Sequence, residues 1–298
     1  MENGLGLACR PMTPIEPDLD AYRHAVEELL KSIDYGDTRI DRADAMVAEA
    51  LEYPEIVSVL ASLPGGIETI KARMRAEVHD YEPNLRSSAI DLNAMVRILF
   101  LSQIDTLWWG HLQPFETDID LQSSTELVDL DPLRRAGKLH FSYRRQSLRF
   151  SSRARDSLIR RVAPTRAPAT AGLRFARTRP EAIVLMNEVA TAFAKTAPRG
   201  TPQPWATSMA RSVEHQHRLR DLGYSALLPS GHCVGYAIDV EMTWFGQFGA
   251  IDALETVLLA MQGRGEVNVI DEGQAWHVCI SPAESVRLQR VFHEQFGG

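Results

Sequence analysis

"VNVIDEGQAWHVCIS", residues Val267 to Ser281, reads as two short apolar strands that meet at a hairpin around Gly273. Each run is too short for an ordinary helix and ends at turn residues. The neighbouring segments alternate in type. "AIDALETVLLAMQG" (250–263) has helical spacing, and "PAESVRLQRVFHEQF" (282–296) is a closing helix. Upstream, "YAIDVEMTWF" (236–245) is a strand and "SVEHQHRLRDLG" (212–223) a helix capped by Ser212 and stopped at Gly223. "PWATSMA" (204–210) is another strand, and "PEAIVLMNEVATAFAKTA" (180–197) is a helix with proline in its first turn. This order predicts an α+β unit: a mixed, mostly antiparallel sheet with flanking helices.

The first third of the chain differs. Residues 15 to about 110 carry helical periodicity almost throughout. "DLDAYRHAVEELLKSI" (18–33) has apolar residues at Ala21, Val26, Leu29 and Leu30, with Asp18 or Asp20 as its cap. "DRADAMVAEALEYPEIVSVLASL" (41–63) keeps the period but is interrupted at Pro54. "GGIETIKARMRAEVHDYEP" (65–83) opens on two glycines and stops at a proline. "SSAIDLNAMVRILFLSQIDTLWW" (87–109) starts with serines suited to an N-cap and is apolar around much of its circumference. It is the expected buried helix of a small bundle. We therefore expect a helical region over 1–132 and an α+β domain over 133–298.

Charge changes sign near that boundary. Residues 112–132 are acidic and turn-rich, whereas Arg134 to Arg179 holds thirteen arginines and one lysine against the single acid Asp156. Within this stretch "KLHFSYRRQSLRF" (138–150) is expected as a hairpin and "VAPTRAPATAG" (162–172) as a loop. The basic segment 134–179 suits a solvated face docked on the acidic remainder, or a surface for a protein or anionic-polymer partner. Aromatics are sparse in it and the whole chain carries a net charge of -7, so nucleic acid is not the expected partner.

The chain has 298 residues, enough for one large domain or two ordinary ones. Three cysteines, Cys9, Cys233 and Cys279, are too few for a disulfide framework. The N-terminus lacks the pattern of a secretory signal, and no apolar run reaches the roughly 18 residues of a membrane span. A cytoplasmic protein with reduced thiols and no membrane segment is expected. There is no Gly-x-Ser-x-Gly elbow and no phosphate loop. Cys279 reads as a small core residue, and Trp108–Trp109 as a core or domain contact.

"SGHCVGYAID" (230–239) sets His232 and Asp239 seven residues apart in a largely apolar run. They are either buried polar groups satisfied by hydrogen bonds or two ligands of one metal. Small residues (Gly231, Gly235, Ala237) would let the loop curl so that both side chains meet one ion. Catalytic zinc sites take three protein ligands and leave one position open. His24, His79, His215, His217 and His293 lie on charged helical faces, His140 is in the basic hairpin, and His111 is a competitor. His277 stands among apolar strand residues. Alone it reads as a core histidine; beside His232 and Asp239 it becomes the third candidate ligand.

The stretch 207–239 resembles the active-site block of the zinc D-Ala-D-Ala carboxypeptidases and dipeptidases, the group that also takes in the sonic hedgehog fold. The pattern serine-x-histidine-x-x-glycine-x-alanine-x-aspartate is met by Ser230, His232, Gly235, Ala237 and Asp239. Upstream, Thr207, Ser208, Arg211 and Gln216 match the family, and downstream Trp276 and His277 do. The resemblance spans about residues 180–285. It implies zinc held by His232, Asp239 and His277, and hydrolysis of short peptides of the cell-wall type that contain D-amino acids. It implies that Arg211 holds and polarises the substrate carbonyl, with Ser230 and Gln216 on the substrate side of the site.

One position departs from the family. Its catalytic glutamate sits three residues before the last histidine, and Gln274 stands there in this chain. A glutamine amide cannot take and return a proton near neutral pH. Glu272 is the nearest replacement, with Asp271 a weaker one. Two functions follow: a zinc peptidase with Glu272 as displaced base, or a catalytically inactive zinc-binding module of the same fold.

Overall fold

The computed structural model describes residues 17–33, 40–82, 89–146, 167–168, 170 and 172–297. The hairpin forms as expected, from β6 (Val267–Asp271) and β7 (Ala275–Ile280). β7 also pairs antiparallel with β5 (Ala237–Glu241), and β5 pairs antiparallel with β4 (Trp205–Ser208). A short parallel strand, β2 (Ser142–Tyr143), completes a five-stranded sheet in the order β2-β4-β5-β7-β6. The fold class is α+β.

Register decides what each face of this sheet carries. Ser208, Asp239, His277 and Ile270 lie side by side across β4, β5, β7 and β6. In-register neighbours point the same way, so these four share one face. The next row, Ile238, Val278 and Val269, points to the other. That second face is apolar. It packs with helices α8 (Pro180–Thr196) and α10 (Ile251–Gly263), and α11 (Pro282–Phe296) packs on α8.

The first face is covered at its β6 end by the helical half. Its helices are α1 (Leu19–Leu30), α2 (Ile40–Ala50), α3 (Pro54–Ser62), α4 (Gly66–His79) and α5 (Leu92–Trp109). Asp18 caps α1 as expected, and the break at Pro54 separates α2 from α3. α5 is the buried helix of the group and lies against β6, whose Ile270 belongs to the helical core. Its cap is Asp91, which accepts the Ala94 amide at 2.9 Å; the serines expected in that role, Ser87 and Ser88, lie outside the described residues.

The apolar clusters change over within α5, upstream of the boundary expected near residue 132. Ile104 belongs to the helical core, whereas Trp109 belongs to the sheet core. Trp109 stacks on Tyr236 at 3.7 Å between centroids and donates its indole N–H to the Ile280 carbonyl at 2.7 Å. The segment after it is likewise tied to the sheet side. It holds α6 (Asp118–Ser123), β1 (Val128–Asp129) and α7 (Leu130–Arg135), and β1 pairs with β3 (Arg177–Thr178).

Of the hairpin expected over 138–150, residues 147–150 lie outside the described residues. In the described part, Ser142–Tyr143 pair with β4 and Arg145 bridges Leu173 in parallel, partners distant in sequence. Most of the loop expected over 162–172 also lies outside the described residues. So does Cys9, whereas Cys233 and Cys279 are free and buried. Among the described residues no helix is long and apolar enough to cross a membrane.

Within 134–179 the described arginines are largely paired with the acidic segment before them. Arg145 and Arg134 meet Asp131, Arg174 meets Asp118 and Arg179 meets Glu126. The alternation of acidic and basic blocks is thus, over the described residues, an internal docking of opposite charges.

Replacing Asp91 by alanine removes the only side-chain cap of α5 described. It is expected to lower the unfolding free energy by about 1 kcal/mol, read as an earlier midpoint in urea denaturation.

Candidate metal centre

Asp239 and His277 face each other across β5 and β7. His232 reaches the same point from a tight 3-10 turn, Gly231–Val234, that precedes β5. Ser230 starts this turn and accepts the His232 amide at 3.3 Å. Gly235 ends it at φ 80°, a conformation that strains any residue with a Cβ. Gly231 sits in close quarters: a Cβ there would lie 3.1 Å from Cys279 Sγ and 3.2 Å from Asp105 Oδ2, so these side chains would have to shift by a few tenths of an ångström.

The three side chains offer ligand atoms that all lie within 4.8 Å of one another, and each residue is buried. His232 Nε2 is 3.0 Å and His277 Nδ1 3.2 Å from the same oxygen, Asp239 Oδ1. The opposite nitrogen of each ring is already committed. His232 Nδ1 donates to the Met209 carbonyl at 2.8 Å, and His277 Nε2 donates to Asp105 Oδ2 at 2.7 Å. Two neutral imidazoles would therefore turn bare lone pairs toward a carboxylate. That is repulsive unless protons or a cation lie between them. The donor set fits a metal: two nitrogens and a carboxylate, with outer acceptors that select the nitrogen facing the centre.

The protonation states follow the same geometry. Burial pushes His232 down, and the Arg211 guanidinium adds to this against the pull of Asp239. For Asp239, burial works to raise the carboxyl, but His232, Arg211 and His277 together hold it well below the usual carboxylate range. For His277, burial works against charge, yet Asp105 and Asp239 raise it well above the usual imidazole value.

Arg211 closes the other side of Asp239. Its Nη2 donates to Asp239 Oδ2 at 2.5 Å and its Nε to Ser208 Oγ at 2.6 Å. Gln216 Oε1 faces Arg211 Nη1 at 3.4 Å, and Gln216 Nε2 donates to the Leu227 carbonyl at 3.1 Å. Gln216 lies on α9 (Val213–Asp221), capped by Ser212. Thr207 donates to the Asp239 carbonyl at 3.2 Å.

A cavity of about 370 Å³ opens onto this group. Arg211, Gln216, Ser230, His232, Asp239, Glu272, Gln274 and His277 all line it. Glu272 and Gln274 sit in the β6–β7 turn, where the Glu272 amide donates to the Ala275 carbonyl. Asp271 is not among the lining residues; it accepts the Gly273 amide at 2.7 Å. His111 is exposed beside Trp109 and stands apart from the cluster.

Three lining residues were not singled out from the sequence. Asp105 is a lone acid in the apolar run of α5, and that isolation was its signal. Glu241 lies two residues beyond Asp239 on β5, and strand alternation alone puts both on one face. It is buried, and burial pushes its carboxyl up, partly offset by the Trp244 amide and the Thr243 hydroxyl. His215 is the third. It is not a solvated helix-face residue but a half-buried one that lines the cavity. Burial, with Arg211 and Arg174 adding, lowers its pKa from 6.5 to about 4.

Comparison with protein-family models, curated proteins and solved structures finds no match to this chain.

His215 gives the native state a pH dependence of known sign. Between about 6.5 and about 4 it is neutral when folded and protonated when unfolded. The unfolded chain then binds more protons, so stability falls as pH falls through that window. In His215→Gln the decline of melting temperature between those two pH values is expected to be shallower.

Proposed function

We propose that the chain is a zinc-dependent peptidase of the carboxypeptidase or dipeptidase type, with short peptides such as D-Ala-D-Ala cell-wall fragments as its substrates. The observation that carries this is the pair of imidazole nitrogens directed at one oxygen of a buried carboxylate, at 3.0 Å and 3.2 Å, beside an open cavity. The resemblance of residues 180–285 to the D-Ala-D-Ala metallopeptidases supports it, and so does the α+β sheet that carries those residues. Turnover of free dipeptides in the cytoplasm fits the same proposal.

His232 Nε2, Asp239 and His277 Nδ1 would hold the ion. Zinc there supplies Lewis-acid polarisation of a scissile carbonyl. The chain's own groups do the rest. Arg211, fixed by Asp239, Ser208 and Gln216, presents a guanidinium edge to the carbonyl oxygen. Ser230 keeps the His232 turn closed. Glu272 takes the proton of the attacking water and returns it to the leaving amine, the role Gln274 cannot perform. Of the other lining carboxylates outside the ligand set, Asp105 is engaged by His277 and Asn268, which leaves Glu241 as the competitor for that role.

Gln274 also favours a second possibility, a zinc-binding module of this fold that binds a protein or anionic partner without turnover. The described arginines of 134–179 are mostly paired with acids of the same chain, which weighs against them as that partner's surface.

Zinc content per chain tests the proposal first. About one zinc is expected in wild type, and it should be lost in His277→Ala. Glu272→Gln should keep the zinc and lower kcat on D- and L-dipeptides by about 10²–10⁴-fold. Full activity in Glu272→Gln, with loss in Glu241→Gln, would move the base to Glu241. A zinc-loaded wild type that cleaves nothing yet captures a defined partner would favour the module, and a wild type that takes no zinc would end the enzyme proposal.

A further inference from the structure

All three candidate ligands come from the last third of the chain, yet the site also receives a side chain from the helical half. Asp105 sits on the fourth turn of α5, 4% exposed, as the only acid of a helix that is mostly apolar. A carboxylate at that depth is costly unless it is paired. Its Oδ2 takes the His277 Nε2–H at 2.7 Å, and its Oδ1 takes the Asn268 side-chain amide at 3.0 Å. Asn268 is fixed in turn by the Leu101 carbonyl at 3.0 Å and faces Arg23 of α1 at 3.4 Å. A polar line therefore runs from His277 through α5 to α1, across an otherwise apolar contact.

The two histidines show what such a partner does. An imidazole can present either nitrogen, and the hydrogen bond on one decides which remains for a ligand. His232 has Nδ1 bound by a backbone carbonyl and so offers Nε2. His277 has Nε2 bound by Asp105 and so offers Nδ1. The ligating atoms differ because the outer acceptors differ. For His232 that acceptor is built into the chain within the same half; for His277 it is a side chain from the other half.

We propose that Asp105 is the positioning residue of the metal centre: it accepts the Nε2–H of His277, directs Nδ1 to the ion, and makes α5 a working part of the site. This rests on the zinc reading above. The helical half is then no detachable lid, because its buried helix supplies the acceptor that orients one ligand. A carboxylate in this place also makes the imidazole a stronger donor than an amide would.

The test pairs zinc competition against a chromophoric chelator with imidazole nitrogen NMR of the zinc-loaded full chain. Asp105→Asn keeps an acceptor oxygen without the charge, and Asp105→Leu keeps neither. Zinc affinity should fall in the order wild type, Asn, Leu, with a loss of about 10–100-fold in the first step. In wild type, His277 should carry its proton on Nε2 and its metal on Nδ1. That spectrum needs no variant, so a Leu form that fails to fold leaves the inference testable. Equal affinity in the two folded variants, or zinc on His277 Nε2, would overturn the role of Asp105 while leaving the zinc site standing. No zinc in wild type would overturn both.

Discussion

Asp239 is a buried carboxylate held in its charged form, and the centre is organised around that fact. Taking such a group out of water costs several kcal/mol unless its oxygens are engaged. Here both are: Oδ1 faces His232 and His277, and Oδ2 takes the Arg211 guanidinium. These partners come from the 3-10 turn, from β7 and from the segment after β4, so one side chain ties three stretches of chain to β5. Leaving any one partner out would strand charge in the interior. The tight turn at Gly231, the pairing of β5 with β7 and the position of Arg211 answer a single electrostatic requirement.

Much of the sheet half was legible in the sequence for a simple reason. The segments from Pro180 onward are short, strongly patterned and separated by glycine, proline or serine, so local preference and final structure agree. The β6–β7 hairpin, the capping of α9 by Ser212 and the proline start of α8 all follow from chemistry within a few residues. The described pairings within 138–146 have the opposite character: the partners of Tyr143 and Arg145, Ala206 and Leu173, are far along the chain. No local signal encodes such a pairing.

The site was legible to the same extent. His232, Asp239 and His277 are marked by being polar in apolar company, and the cavity gathers them with Arg211, Gln216, Ser230, Glu272 and Gln274. Glu241 follows from strand parity once β5 is known. Asp105 is marked as the lone acid of α5, but nothing local ties it to the site; only the register explains its presence there. Because Ile270 shares a face with His277, the bundle that covers Ile270 also approaches His277. His215 was misread because a helix whose outer face is charged still has an inner face: His215 is half-buried while His217, two residues on, is exposed.

The contact between Asp105 and His277 joins residues 172 positions apart. Such a contact forms only after nearly the whole chain is available, and closing so long a loop is slow compared with making local helices. During synthesis α1 to α5 emerge long before β7 does. A chain that ends before β7 lacks His277, so the His232–Asp239–His277 cluster is complete only once the last strand of the sheet is present.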